Sequence, residues 1–549
     1  MADQKCSPTK SQPAGEGSVK ETIESILVAF ILAFIFRAFV VEAFVIPTGS
    51  MGPTLMGAHM RFTCQECGYP FAVNFQTVND NTDIPAYGPR RFDFHCPNCG
   101  YPVSRSRSSE DLSPVYFGDR ILVLKYDYLF HQPDRWDVVV FKSPFEKSRD
   151  PGDPKYADNY IKRLVAEPLE AAMVLDGDVY TAGRDEEDLT RFQIRRKPRH
   201  VQDAMWRIVN DNDYLPQLLP QHQSATWEWK QPWVVVDGGG WTGPRTGSDP
   251  GHERVFRFNS VGGGTIAFDP EANPDTHALT DWLAYDDGPR ADWAPVSDLR
   301  LSCLYRRTGG EGPLRLQLTK RDDCFAAEFT RGSVALVRSK LPDTAHFSPA
   351  GQTLWRVDRP APELSGSGPV AVELVNVDYR VSVLVNGREV LATDDQQYSP
   401  DVPRLLSEYR GRRQPDNKPF VRIEAAAQTC SIEHLGLWRD VYYINNGYHL
   451  TPSAGGSGDP FWGSPDNVAR LGPDEYFVLG DNSQVSLDAR YWGAPVDLPA
   501  EGDYHVAPGR VPGRFMLGKA FFVYWPAGYR PGSLPYGIEP DFGDMRFIH

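Results

Sequence analysis

The chain lacks a basic excess: 57 Lys and Arg stand against 72 Asp and Glu, a formal net charge of −15. Binding phosphate backbones needs a basic surface, so nucleic acid is excluded as the main partner. Internal repeats are absent, and low-complexity text is confined to TPSAGGSGD, 451–459, which reads as a loop. There is no G-x-S-x-G elbow around Ser50, the serine that follows the N-terminal apolar run, and no histidine stands beside it. If Ser50 is a nucleophile, its base is an unusual one. What is present points to a folded, strand-rich chain. Apolar residues make up 41% and charged residues 23%, the balance of a globular protein. The length of 549 residues exceeds one ordinary core, so roughly two to four domains are expected. The 48 glycines, 47 prolines and 12% aromatic residues favour strands and turns over long helices.

One long apolar run exists. Lys5, Lys10 and Lys20 precede ETIESILVAFILAFIFRAFVVEAFVIP, in which Ile26 to Phe36 carries no charge. Extended to Ile46, the run approaches the roughly 20 residues of a spanning helix. Arg37 and Glu42 interrupt it and are expected at an interface. No small-x-small site closes the apolar core before Arg37, which favours an uncleaved anchor over a cleaved signal peptide or a buried soluble helix. Lysines ahead of the run put the N-terminus in the cytoplasm and the bulk of the chain outside, as in a single-pass protein of the cell (inner) membrane.

Further on, GDRILVLKYDYLF (118–130), WDVVVFKSP (136–144) and 156–183 read as strands, with a turn at Asp176-Gly177. Part of 190–224 reads as helical around Val201 to Asn210. From 225 to 440 strand-like runs recur without helical period, and Asn386-Gly387 between apolar runs is a hairpin signal. This texture predicts a β-sandwich and is similar to concanavalin-like or laminin-G-like sandwiches. Trp227, Trp229, Trp233 and Trp241 are either core residues or a sugar-stacking face. A glycan or a protein is the expected class of ligand for this insert.

RFTCQECGYPF (61–71) and FHCPNCGYPV (94–103) each contain CxxCGYP. Cys64, Cys67, Cys96 and Cys99 suit a tetrahedral structural zinc site, in a segment that resembles a zinc ribbon. Two disulfides are the open alternative. Five arginines against six acids over 60–111 leave this ribbon no phosphate footprint. Cys303, Cys324 and Cys430 allow at most one disulfide among themselves, and Cys6 is expected to be a reduced thiol.

Four ordered stretches carry the chemistry: IPTGSMGPTL (46–55), GDRILVLKYDY (118–128), YIKRLV (160–165) and GDNSQVSLDARYWG (480–493). In this order, behind an apolar run and ahead of GKAFFVYWP (518–526), they resemble the boxes of type I signal peptidases, the membrane-anchored proteases with a serine–lysine dyad. The resemblance implies Ser50 as nucleophile, Lys162 as general base, and Thr48 with the Ser50 amide as oxyanion donors. It also assigns Ser486 to the lysine amine and Tyr160, Arg163, Asp481, Asn482, Asp488 and Arg490 to support. A lysine titrates near 10.4 when free, so a base role requires a drop of roughly 2 to 3 units. By strand alternation Ile161 faces away from Lys162, so other residues must wall the amine. Met51 and Leu55 are either core residues or an apron touching lipid.

The chain departs from the family after GDN, where Ser483, Gln484 and Val485 replace an Arg-Asp-Asn run, and at Ala489, where serine is usual. AEPLE replaces a glycine-rich turn after the lysine box. The implied fold is mainly β: a signal-peptidase-type antiparallel catalytic domain behind one N-terminal transmembrane helix, with a zinc-ribbon insert and a β-sandwich insert. Its expected divisions are a tail 1–20, an anchor 21–46, catalytic parts 47–57, 112–189 and 441–549, a ribbon 58–111, a connector 190–224 and a sandwich 225–440. The implied function is removal of signal peptides from exported preproteins at the bilayer, beside the translocation machinery, with no cofactor for the chemistry. An inactive binding scaffold and a narrow-substrate processing protease are the alternatives.

Overall fold

The computed structural model describes residues 16–75, 87–89, 94–103, 112–144, 159–218, 227–244, 254–273, 279–286, 293–341, 352–411, 419–444, 462–492, 496–498, 504–525 and 542–549. Cys6, Lys5, Lys10 and the 451–459 loop lie outside them.

The site rests on an antiparallel sheet whose neighbouring strands come from distant parts of the chain. Its order is 41–45, 120–124, 516–525, 138–142, 159–166, 475–479 and 511–512, with Arg546–Phe547 added beside 516–525. The run VVVF (138–141) is apolar at successive positions because both faces of this sheet are covered. Val138 and Val140 pack with Ile121, Val123 and Ile161, while Val139 and Phe141 pack with Leu164 and Phe477. A smaller sheet follows, in the order 193–194, 178–183, 170–175 and 469–470. Asp176 and Gly177 turn its hairpin with φ of 54° and 86°, as the sequence predicts.

Mainly β structure is what the composition predicts, but several boundaries differ. Helix Glu16–Phe39 ends before Ile46, and Val41–Val45 is a strand paired with 120–124. Among the described residues no helix is long and apolar enough to cross a membrane. Tyr126–Phe130, read as strand, contains the helical turn Asp127–Phe130. In the connector, the helix is only Arg199–Met205, and Arg207–Asp211 is a strand.

That strand joins the sandwich by pairing with Val421–Arg439, a 19-residue strand that also pairs with 256–268, 299–310 and 314–320. Val421–Arg439 kinks at Ala427 and His434, where φ is positive, and so serves several partners along its length. Asn386-Gly387 closes the hairpin 380–385/388–392 as expected, with φ of 49° and 74°. Trp233 and Trp241 belong to the sandwich core, and Trp227 and Trp229 pack with the four paired cysteines. All four tryptophans are buried, which corrects the sugar-stacking reading. The small sheet meets the sandwich at a buried ion cluster. Lys197 pairs with Asp378 and Asp440, and Lys320 with Asp298 and Asp178. Half of such a cluster, separated from the rest, leaves buried charge uncompensated.

Candidate active site

Strand Val41–Val45 delivers the chain to the serine box. Ile46 N donates to Asp119 O at 3.0 Å, so the GDR stretch anchors the start of the loop. Thr48 is extended, with φ −119° and ψ 158°, and Gly49–Met51 forms a 3-10 turn closed by Gly52 N donating to Gly49 O. Ser50 is half-buried on this turn. Lys162 comes from strand Asn159–Ala166, opposite Val139. It is buried, and its Nζ donates to Ser50 Oγ at 2.7 Å and to Ile161 O at 2.9 Å. The Tyr160 ring centroid lies 5.6 Å from the amine and forms one of its walls. Ile161 turns to the other face, against Met51 and Leu55. An amine at this distance from a hydroxyl is within direct proton-transfer reach.

The GDN turn buttresses the serine from below. A Cβ on Gly480 would lie 2.5 Å from Ser50 O and 2.1 Å from Ser486 Oγ, so only glycine lets the two segments approach. Asn482 N donates to Ser50 O at 3.1 Å, and Asn482 Nδ2 donates to Gly49 O at 3.0 Å. Two bidentate ion pairs fix the surroundings. Arg163 Nε and Nη2 each donate to Asp481 at 2.7 Å, and Arg490 Nε and Nη2 donate to Asp488 at 2.8 and 2.7 Å. All four side chains are fully buried, and Asp488 Oδ2 also accepts from Gly480 N at 2.9 Å. Thus Asp481 pairs with Arg163, while Asp488 and Arg490 pair with each other.

Other expected residues stand apart from the dyad. Ser486 is buried, but among the described residues its Oγ has no hydrogen-bond partner, Lys162 included. Thr48 is exposed, and its hydroxyl makes no capping bond to the turn. Met51 and Leu55 are 0% and 1% exposed, which corrects the lipid apron: they fill the core beneath the loop. Sequence reasoning missed His59, Tyr285 and Asp286, all close to the loop. His59 Nδ1 meets Gly57 O at 2.8 Å, and burial lowers this imidazole to about 4. Asp286 is held by Asn74 and Asn482, and burial raises its carboxyl to about 6. Asn482 belongs to a recognisable box. Asp286 lies in a short turn whose sequence carries no signal.

The four paired cysteines form a second site. Their sulfurs lie within 4.8 Å of one another, with Cys64–Cys99 and Cys67–Cys96 each at 3.6 Å. All four are free cysteines here, with these two sulfur pairs standing beyond the S–S bond length of about 2.05 Å. The two knuckles match: Gly68 N donates to Cys64 O, and Gly100 N to Cys96 O, both at 2.9 Å. Both glycines take positive φ, 78° and 71°, a conformation that glycine adopts without steric cost. The knuckles also bind the connector. Asn98 accepts from Asp211 N at 2.6 Å, and Glu66 accepts from Leu218 N at 2.8 Å. Cys303, Cys324 and Cys430 are free and buried.

A family profile described as signal peptidase, peptidase S26, matches residues 19–78, 102–224 and 442–525. The interior stretches it leaves out fall within the cysteine-bearing segment and over the sandwich. The probable signal peptidase I-1 of Synechocystis sp. is 26% identical over 200 residues, covering 35% of this chain and 69% of that protein. Among solved structures, the carbohydrate binding module CBM66 from Bacillus subtilis is 11% identical with a TM-score of 0.22, covering 38% of this chain and 94% of that one. The endo-beta-1,3-glucanase from Pyrococcus furiosus is 10% identical with a TM-score of 0.19, covering 27% and 63%. Likenesses this low carry no conclusion about the sandwich. The domain built from the three matched segments, with Ser50 and Lys162 at its centre, belongs to the signal peptidase family, peptidase S26.

Proposed function

We propose that this chain is a serine endopeptidase that removes signal peptides from exported preproteins through a Ser50–Lys162 dyad. The observation that carries the reading is the 2.7 Å contact between Lys162 Nζ and Ser50 Oγ. Neutral Lys162 takes the proton of Ser50 as Oγ attacks the scissile carbonyl. The Ser50 amide and the Thr48 hydroxyl receive the oxyanion, and Lys162 returns the proton to the leaving amine. Water, deprotonated by Lys162, then attacks the acyl ester, and Ser50 Oγ leaves with that proton from Lys162 as the acid product is released. Tyr160 shields the amine, while the Arg163–Asp481 and Arg490–Asp488 pairs hold the GDN turn against the serine. The dyad stays intact despite the altered loop after GDN, which favours this reading over an inactive scaffold.

The lipid bilayer is the proposed neighbour. Ile23, Ile26, Leu27, Val28, Phe30, Ile31, Leu32 and Phe34 are 49–67% exposed, and at 100° per residue they cover most of the circumference of the N-terminal helix. So much exposed apolar surface favours apolar surroundings, and lipid supplies them. The test is cleavage of a preprotein by detergent-solubilised protein beside Ser50→Ala and Lys162→Ala, with the cut read by mass spectrometry. Both variants are expected to lose at least about 1000-fold in kcat, and wild type to cut after a small-x-small site. Full activity in Ser50→Ala would refute the dyad.

We also propose that Cys64, Cys67, Cys96 and Cys99 hold a structural zinc ion. Four thiolates at Zn–S of about 2.3 Å stand about 3.8 Å apart, close to the cross-knuckle spacing here. The ion would tie the ribbon to the connector leading into the sandwich, away from the chemistry. Elemental analysis of the purified chain is expected to find one zinc, lost in Cys96→Ser. Zinc-free protein with oxidised cysteines would sink the site.

A further inference from the structure

The sandwich enters the chain far from the serine box, yet one of its turns lies against the nucleophile loop. The turn is the 3-10 segment Ala284–Asp286. Tyr285 is 2% exposed and its ring packs on Gly52, where a Cβ would lie 2.2 Å from ring carbon Cε1. Asp286, beside it, is partly buried, and each of its oxygens is engaged. Oδ1 accepts from Asn74 Nδ2 at 3.0 Å, and Oδ2 accepts from Asn482 Nδ2 at 2.5 Å. Asn482 Nδ2 spends its other hydrogen on Gly49 O at 3.0 Å, while Asn482 N donates to Ser50 O at 3.1 Å. Asn74 lies flat on Gly49, its amide group 2.6 Å from where a Cβ would stand. Residues 74, 286 and 482, from the ribbon, the sandwich and the GDN box, thus converge on the turn that carries Ser50.

We propose that Asp286 is a positioning residue for Ser50. By fixing the amide of Asn482, it holds the Gly49 and Ser50 carbonyls and thereby the bearing of Ser50 Oγ toward Lys162. The inference rests on the proposed dyad, and it makes the sandwich a structural part of the catalytic centre. A carboxylate suits the place because it only accepts, through two oxygens, and both neighbours present N–H groups. Alanine would leave two N–H groups without partners and free Asn482 to turn. Asparagine can replace the carboxylate if Asn74 flips its amide, because one oxygen still serves Asn482 and the new N–H meets Asn74 Oδ1.

The experiment compares wild type, Asp286→Ala, Asp286→Asn and Ser50→Ala on one preprotein, in the full-length chain. Asp286→Ala is expected to lower kcat about 10- to 100-fold with KM changed less than about 3-fold, the signature of a misplaced reacting group. Asp286→Asn is expected to restore kcat to within about 5-fold of wild type, because it keeps the bond to Asn482. Wild-type kcat in Asp286→Ala overturns the proposal, as do equal losses in the two variants. Hydrogen exchange of 46–56 gives a reading that needs no turnover: faster in Asp286→Ala, as in wild type in Asp286→Asn. If wild type and Ser50→Ala are equally inactive, the protease reading fails, and the exchange result still decides Asp286. Should Asp286→Ala not fold, Asn74→Ala removes one partner alone; faster exchange supports the proposal, and unchanged exchange overturns it.

Discussion

The catalytic sheet and the sandwich are both antiparallel, but different contacts decide them. Around Ser50 the fold depends on single atoms: a missing Cβ at Gly480, two bidentate pairs at Arg163 and Arg490, and one amide at Asn482. The sandwich is decided by alternation. Leu299, Leu301, Cys303 and Tyr305 face inward along one strand, and Leu314, Leu316 and Leu318 along another. Many apolar sequences satisfy such a pattern, whereas few satisfy the polar turn. The contrast explains why one region is read residue by residue and the other only by class.

The largest expected effect breaks the polar side of this comparison. Gly480→Ala places a methyl 2.5 Å from Ser50 O and drives the GDN turn away from the serine. Displacing reacting groups by about 1 Å costs on the order of 100-fold, so kcat is expected to fall at least that far. A kcat within about 3-fold of wild type would show that the close approach is not needed for turnover.

A comparable insult to the sandwich is expected to act on stability and spare chemistry. Leu316 is 0% exposed in the sandwich core, and Leu316→Ala is expected to cost about 2–5 kcal/mol. Denaturant unfolding measures that loss, while kcat per folded molecule stays near wild type. A kcat loss at a temperature where the variant is fully folded would mean that the whole sandwich, and not the Tyr285–Asp286 turn alone, sets the serine's geometry.

How much was legible follows the same division. Ser50, Lys162, Arg163, Asp481 and Arg490 stand out because they lie in four ordered stretches that together resemble one family, and the structure gathers those stretches around the serine turn. The hairpin turn at Asn386-Gly387 was legible because positive φ at both positions restricts the residues. The end of the N-terminal helix was not. FVVEAFV is apolar enough for either helix or strand, and pairing with 120–124, far along the chain, decides for strand from Val41. The burial of Met51 and Leu55 was equally hidden, since a methionine on a turn carries no periodicity. Tyr285 and Asp286 lie in a three-residue turn that acquires meaning only when Asn74 and Asn482 arrive beside it.

The smallest expected effect sets the two regions against each other through pH. His59, on the ribbon side of the loop, is held near 4 chiefly by burial, with Asp119 opposing and Arg61 and Arg546 adding to the shift. Between its ordinary 6.5 and 4 the unfolded chain binds a proton that the native chain refuses. Stability contributed by neutral His59 is therefore lost as pH falls through that window, by up to about 3 kcal/mol. Asp286, on the sandwich side, acts in the opposite sense. Burial raises it from 3.8 to about 6 against the hydrogen bonds of Asn482 and Asn74, so the native chain takes up its proton first. Its contribution grows as pH falls from about 6 and is complete below the unfolded value of 3.8. In wild type the two contributions largely offset between about pH 6 and pH 4, the overlap of the windows. His59→Gln is expected to make the thermal midpoint less sensitive to acid than wild type, and Asp286→Asn to make it more sensitive. Midpoints of both variants that run parallel to wild type from about pH 7 to about pH 4.5 would show that neither group titrates across the loop in the sense its burial dictates.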